Sequence, residues 1–446
     1  MEWPAQLSID IISSDSPSNI NRTAKYYIKN PIQAPYEKKF WETGQRAKRL
    51  GQWLQKADSS NPKSKEIEEL YATTEQVAQK LFPFLQNSPL NEGSKTPLAD
   101  LRRSYKRGSR GIVIPVGGGE DSVRFASHLI VSLRQVLKSK LPIQIAYAGD
   151  GDLPEESRKR IQALKGANDI EFLDVWSVFD DSTLKLNDGG WAIKVFALLA
   201  SKFEQAILLD ADAVFMQEPE QLFSQKPYVD KGAYLFHDRL LWQYLFQGRH
   251  KWWADQIKDP SAEMEKSRVW MEEYAEECDS GVVVVDKSRI SILVGLLHVA
   301  WQNTYDVRKE VTYRMGHGDK ESWWLGLEVS GSTYEFEAHY GSVIGWGDSP
   351  LVENVTQVCS FAIAHLDTED RLLWYNGGLL MNKRENTSEY RIPSYWMMDG
   401  RWRKGRTAND MSCMKGLDAS RLSNHEKRVL GETIEVAKEV DKALAK

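Results

Sequence analysis

Two carboxylates close an apolar run in Ile207-Leu208-Leu209-Asp210-Ala211-Asp212-Ala213-Val214-Phe215. In an extended segment residues i and i+2 share a face. Asp210 and Asp212 then converge on one hard divalent cation, and Mn2+ or Mg2+ takes such oxygen ligands. An uncompensated carboxylate pair within an apolar strand is costly, which favours metal binding over a solvated strand end. Asp150-Gly151-Asp152 repeats the spacing, but it lies in a Gly-rich turn before Pro154. Aspartates there commonly serve turns and helix caps, and the triplet reads as a turn. Pro115-Val116-Gly117-Gly118-Gly119 closes another apolar run. Its glycines let a ligand approach the backbone, so a nucleotide base or ribose fits there about as well as a plain tight turn. It matches neither GxGxxG nor GxxxxGK[ST], which removes the dinucleotide and P-loop readings.

Further candidates follow other apolar runs or precede them. Asp279-Ser280-Gly281 opens a buried-type strand, and Gly316-His317-Gly318-Asp319-Lys320-Glu321-Ser322-Trp323-Trp324 is a charged helix start. Asp319 suits a helix N-cap and Glu321 a first-turn carboxylate. The functional reading makes them acceptor-binding or nucleophilic carboxylates, with Trp323 and Trp324 as an apolar floor for a sugar ring. His365 follows Phe361-Ala362-Ile363-Ala364, where a lone histidine is more often structural than a ligand. Trp374-Tyr375-Asn376-Gly377-Gly378 reads as a phosphate- or sugar-contacting loop, and the aromatic, basic stretch Tyr395 to Arg403 fits either sugar stacking or the core.

The elements that must position these residues begin at Arg110. GIVIP, IQIAYAG, IEFLDVW and AILLDADAVF read as strands, and they alternate with helical patterns at Phe125–Lys138, Glu155–Leu164 and Trp191–Phe203. Such alternation argues for a parallel or mostly parallel α/β sheet, whose ligands sit beyond the carboxyl ends of strands. Residues 1–35 are Ser/Asn/Pro-rich and read as irregular, while 36–82 carry apolar residues at helical spacing. This divides the chain into an N-terminal stem or cap over 1–100 and a larger domain over 105–446. A short amphipathic helix is expected at Ile434–Leu444.

Composition narrows the function further. Among 446 residues, 58 Lys and Arg against 63 Asp and Glu give a net charge of −5, so no basic field invites nucleic acid. A hydrophobic share of 41% supports a sizeable core. Cys278, Cys359 and Cys413 are too few for a disulfide scaffold or a CxxC zinc site, and they allow one bridge with a free thiol or none. No stretch reaches the ~18–20 apolar residues of a membrane span. Three N-x-[ST] sequons, at Asn21, Asn354 and Asn386, mildly favour a secretory route.

In order along the chain, LPIQIAYAGDGDLP, WAIKVFALLASKFEQAILLDADAVFMQEPEQLF, DSGVVVVDK, GDKESWWLG and AHLD with LLWYNGG resemble the fungal Mnn1-type α-mannosyltransferase family of GT-A glycosyltransferases. The resemblance covers about Gly111 to Asn382 and implies a nucleotide-sugar-binding mixed α/β sheet flanked by helices, with an N-terminal helical extension. It implies Mn2+ (or Mg2+) on Asp210 and Asp212, with His365 completing the metal shell and Lys194 contacting a GDP-mannose donor. Asp319 falls in the acceptor-side acidic loop; Glu321 and Asp279 are the other catalytic candidates. Gly117, Gly118, Gly119, Ser280, Gly281, Trp374, Asn376 and Gly377 join Lys194 and Asp210 as candidates for substrate contact. The implied reaction is retaining transfer to a mannoside or glycan through an α-1,3 or α-1,2 link, in the Golgi lumen, although no anchor is visible in the sequence. A metal-dependent nucleotidyltransferase and a non-catalytic glycan-binding protein are the rival readings.

Overall fold

A computed structural model describes residues 16–445 apart from 61–63, 168, 189, 348–354 and 417–418; the sequon at Asn354 lies outside the described residues. Eight strands come first in chain order: β1 (Lys106–Pro115), β2 (Ile143–Tyr147), β3 (Glu171–Asp174), β4 (Phe203–Leu209), β5 (Ala213–Phe215), β6 (Ala233–His237), β7 (Cys278–Asp286) and β8 (Glu335–Phe336). All but β5 form one sheet in the order β3-β2-β1-β4-β7-β6-β8. The β3-β2-β1-β4 half is parallel, with Ile112 of β1 opposite Ile143 and Ile207, while β7 runs antiparallel to β4 and β6. The chain steps from β1 to β2 on one side and later to β4 on the other. That reversal opens a crevice beyond the carboxyl ends of β1 and β4, where Gly117–Gly119 and Asp210 lie.

Period-two alternation along this sheet sends its side chains into two cores, one on each face. Ile112, Ile114, Ile207, Leu209, Val282 and Val284 enter one, and Val113, Leu208, Val283 and Val285 enter the other. The second core is covered first by the helices Ile193–Ala200, Ile290–Gln302 and Lys320–Val329, and three helices that precede the sheet in sequence, α1 (Pro17–Lys29), α2 (Phe40–Ser59) and α3 (Lys65–Leu81), form a layer outside them. Phe40, Leu50, Trp53, Leu70 and Val77 share that core with Val113, Phe196 and Leu208. The N-terminal segment is therefore an outer layer on that side of the sheet: Gly44 and Gly51 of α2 let it approach Val329 and Val294, and Phe40 packs on Trp301. Within the span expected to be irregular, Ile20, Thr23, Ala24 and Tyr27 repeat at helical spacing and are buried. Four such positions suffice for a docked helix despite the polar composition around them.

Three helices border the crevice or its outer wall: α4 (Glu120–Val131), α5 (Ile193–Ala200) and α6 (Lys320–Val329). Later strands form two further sheets: β9 (Val343–Gly347), β10 (Gln357–Ser360), β11 (Ile363–Leu366), β12 (Leu372–Asn376), β13 (Tyr395–Met397), β14 (Arg401–Arg403), β15 (Ser412–Lys415) and β16 (Ser420–Arg421). β5 pairs with β12, which pairs with β11; the others are ordered β14-β15-β10-β9-β13-β16. Cys359 and Cys413, opposite one another on β10 and β15, form a disulfide, and Cys278 is a buried free thiol. The terminal helix α7 (Asn424–Leu444) starts ten residues earlier than its apolar pattern announces. The cause is a capping box, in which Ser423 and Glu426 satisfy each other's backbone N–H. Its Asp441 accepts hydrogen bonds from Arg124 and His128 of α4. Among the described residues no helix is long and apolar enough to cross a membrane.

Candidate active site

The two-carboxylate segment is not one continuous strand. β4 ends at Leu209, Asp210-Ala211-Asp212 makes a turn in which Ala213 N–H donates to the Asp210 carbonyl (3.1 Å), and β5 departs into the three-stranded sheet. The turn forms because β4 must stay with β1 and β7 while Val214 must reach Tyr375 of β12. It leaves both carboxylates at the crevice. Asp210 N–H is fixed by the Gly281 carbonyl (2.8 Å), which ties the turn to β7.

Lys194 projects from the first turn of α5 into this crevice and gathers the site around itself. Its ammonium lies 2.7 Å from Asp210 and 3.6 Å from Asp319, and it donates to the carbonyl and hydroxyl of Ser280, each at 3.1 Å. Burial alone would lower the lysine's pKa, but Asp210 and Asp319 outweigh it and the pKa is raised. Asp210 is pushed up to about 6 by burial, opposed by Lys194 and reinforced by the charges of Asp212 and Asp319. This crowding of like charge is what a divalent cation relieves, and two carboxylates completed by substrate phosphates are a donor set that Mg2+ or Mn2+ accepts. Asp210 and Asp212 thus fit the implied ion. Asp212 is ion-paired to Lys383, a partner that sequence reading missed. Among the described residues there is no group of three His, Cys, Asp or Glu side chains arranged to hold a metal by themselves.

Asp319 sits at the N-cap of α6 without capping it. Its carboxylate accepts from the Trp323 indole (2.7 Å) and the Ser280 hydroxyl (3.3 Å) rather than from a helix N–H. It belongs to the Lys194 cluster. Glu321 does not: its carboxylate turns the other way and accepts from the backbone N–H of Glu277 (3.1 Å) and the Trp324 indole (2.6 Å). Burial pushes it up to about 8. Glu321 is therefore corrected from a catalytic candidate to a packing residue. Trp323 and Trp324 are wholly buried and form no sugar floor.

Asp279 is buried one layer deeper. It accepts from Gly281 N–H (2.9 Å), Asn376 Nδ2 (2.9 Å) and His365 Nε2 (3.3 Å). The other ring nitrogen of His365 lies 2.5 Å from Glu337. Burial would lower the histidine's pKa, but Glu337 and Asp279 raise it to about 9. Glu337 and Asp279 engage both ring nitrogens of His365. As placed it is a structural ion-pair partner, which corrects its expected place in the metal shell. Trp374 stacks on the His365 ring (centroids 4.2 Å apart) and is buried. It supports this layer from below instead of meeting a ligand. Gly281 permits the close packing, since a Cβ there would stand 2.8 Å from Asn376 Nδ2 and 3.0 Å from the Trp374 ring.

Gly118 and Gly119 adopt positive φ and line a cleft of about 420 Å3 together with Asp152 and Asn187. Gly117 must lack a side chain because a Cβ would fall 2.0 Å from the Asp152 carboxylate. Asp152 accepts from Ala148 N–H and Asp150 pairs with Arg158, so that triplet supports the turn as expected.

Next to Asp212 and Asp279 opens a larger cleft of about 810 Å3, of which the sequence announced only the Asn376–Gly377 loop and not the basic wall. Asn376, Gly377 and Lys383 line its inner end; Arg239, Arg384, Lys404, Arg406 and the exposed Trp242 line the rest. Five cations from three separate segments converge here. Their chain positions are too scattered to read as a cluster from sequence.

The family described as "Mannosyltransferase putative" matches residues 109–367, more than half of the chain. The chain is 28% identical over 379 residues to the alpha-1,3-mannosyltransferase MNT3 of Saccharomyces cerevisiae, covering 70% of this chain and 57% of that protein. With the alpha-1,3-mannosyltransferase MNN1 of the same yeast it is 26% identical over 366 residues, covering 70% and 46% respectively. The chain thus spans about half the length of the curated relatives it matches. Among solved structures, the galactosyltransferase LgtC with donor and acceptor sugar analogs aligns at a TM-score of 0.33 and 15% identity, over 51% of this chain and 73% of that one.

Proposed function

This chain belongs to that mannosyltransferase family, and from this premise we propose that it transfers mannose from GDP-mannose to a mannose-containing glycan or mannoside, with retention, in an α-1,3 link. The observation that carries the reading is the Asp210–Asp212 turn beside a five-cation cleft. A leaving nucleoside diphosphate gains negative charge as the sugar bond breaks, and preorganised positive groups stabilise that charge. Lys383, Lys404, Arg406, Arg384 and Arg239 supply it from the cleft, and the buried Lys194 adds charge behind Asp210. Asp210 and Asp212 would hold Mn2+ or Mg2+, which adds charge neutralisation at the diphosphate when bound.

Asp279 and Asp319 are buried and already hydrogen-bonded. That supports a positioning role for both and a front-face route in which the departing diphosphate, not a protein carboxylate, assists the incoming hydroxyl. The Cys359–Cys413 disulfide supports maturation in an oxidising compartment, in keeping with a Golgi lumen. The glycan-binding alternative loses its main support, because Trp53, Trp253, Trp323, Trp324 and Trp374 are core residues.

The test is a titration of GDP and UDP with and without Mn2+, followed by transfer assays on several nucleotide sugars with product linkage read by NMR. GDP-mannose is expected to be preferred and GDP binding to tighten with Mn2+. Equal use of UDP-sugars, or nucleotide binding indifferent to Mn2+, overturns the reading.

The two carboxylates of α6 should separate cleanly. Asp319→Asn is expected to lower kcat by roughly ten- to a hundredfold, about 1.4 kcal/mol per factor of ten, because it removes charge beside Lys194. Glu321→Gln is expected to keep kcat within about threefold and to lose roughly 1–3 kcal/mol of stability, since an amide N–H meets a donor where an oxygen accepted. Steady-state rates and urea midpoints of both variants check this; the opposite pattern would return Glu321 to the site.

A further inference from the structure

Among the described residues, Trp242 is the one large aromatic at the rim of the basic cleft that is exposed, at 42%. Its backbone stands at φ +53°, and Tyr244 two residues on stands at φ +64°. Left-handed conformations are outliers for bulky side chains, and such strain persists only where surrounding contacts impose it. Here Ala275 N–H donates to the Leu241 carbonyl (3.1 Å), Tyr244 N–H donates to the Glu273 carbonyl (2.9 Å), and the Gln243 side chain donates to the Glu272 carbonyl (3.0 Å). The loop is thus pinned at three points in a shape that turns the indole outward. Its ring lies near-perpendicular to Phe246, with centroids 6.4 Å apart.

We infer that Trp242 is the stacking platform for the acceptor glycan, taking the apolar face of a mannopyranose ring. This rests on the transferase reading. The inner end of the cleft, at Lys383 and Asn376, adjoins Asp212 and Asp279, and its cations suit the diphosphate. An acceptor reaches the sugar from the open side, and the indole is the broad apolar surface on that rim. Stacking on Trp is tolerant of ring substitution but demands a flat, rigid aromatic. That demand explains why a strained tryptophan stands where a glycine would be relaxed.

The experiment compares Trp242→Gly, Trp242→Phe and the unaltered protein. Saturation-transfer NMR reports binding of mannobiose and mannotriose, calorimetry reports GDP, and kinetics report acceptor KM and kcat. Trp242→Gly relieves the φ strain but gives up the buried part of the indole, so its Tm serves as the control that the variant is folded. The variant should weaken mannoside binding at least tenfold and raise acceptor KM more than it lowers kcat, with GDP affinity held within twofold. Trp242→Phe should recover most of the binding. Unchanged mannoside binding in Trp242→Gly overturns the inference, as does a parallel loss of GDP affinity, which would make the indole a base platform. Because the NMR arm needs no turnover, a protein that binds mannosides through Trp242 yet fails to use GDP-mannose would refute the proposed reaction alone. Absence of mannoside binding by the unaltered protein refutes the platform.

Discussion

Asp210→Asn is expected to lower mannosyl transfer by roughly a thousandfold, the upper range for deleting one preorganised electrostatic group. The carboxylate is both a candidate ligand for the ion and the 2.7 Å partner that orients Lys194. The loss of charge should not unfold the protein. Asp210 is raised to about 6 by burial and by its acidic neighbours. A carboxylate raised on folding contributes stability below its unfolded value, and that contribution is lost as pH rises through the folded value. At pH 7 the ionised group is already a cost to the fold, and Lys194 keeps Asp319 and Ser280 as partners. Transfer by the unaltered protein should accordingly fall on the acid side, at a pH that moves lower as Mn2+ is raised because the cation competes with the proton for Asp210, while its stability does not. Rate–pH profiles and urea midpoints at pH 5 and 7 check both halves. Near-normal transfer by Asp210→Asn at saturating Mn2+ rejects the role given to this turn.

The largest effect on stability is expected at His365. His365→Leu fills similar space but leaves Asp279 and Glu337 buried without their cation, and breaking a buried pair in this way costs about 3–5 kcal/mol. The pH dependence has the opposite sign to that of Asp210. His365 is raised from 6.5 to about 9, so its contribution is complete below pH ~6.5 and is lost as pH climbs through about 9. Urea unfolding between pH 6 and 10 should show this alkaline loss in the unaltered protein and its absence in His365→Leu. A variant that loses Mn2+ affinity while keeping its stability would restore the histidine to the metal shell.

The legible parts of the sequence are those whose pattern is local. Strands β1 and β4, the glycine turn and the carboxylate pair announce themselves within ten or so residues, but the turn that breaks the Asp210–Asp212 segment into β4 and β5 does not, and Lys194 is singled out by the family resemblance alone. The role of Asp319 is legible only as an alternative, because an N-cap and a site carboxylate look identical until the side chain is seen to bypass the helix N–H groups for Trp323 and Ser280. Glu321, two residues away, carries the same sequence signal, although on a helix positions i and i+2 do not share a face. His365 and Trp374 mislead because their meaning lies in Glu337 and Asp279, far away in the chain. The basic cleft is invisible for the same reason, since Arg239, Lys383 and Lys404 are brought together only by strand order.

The packing of the N-terminal helices over the helical layer of the sheet has a consequence for how the protein is cut. The matched span of 109–367 begins after those outer helices and ends before β12, the strand to which β5 is zipped. A recombinant fragment trimmed to those limits would bare the apolar outer side of the helices Ile290–Gln302 and Lys320–Val329, at Val294, Trp301 and Val329, and would leave β5 without its neighbour. It would also discard Asn376, Lys383, Lys404 and Arg406. The boundary of detectable kinship is therefore not a boundary of autonomous folding here, and a fragment cut there is expected to aggregate rather than retain a reduced form of the activity.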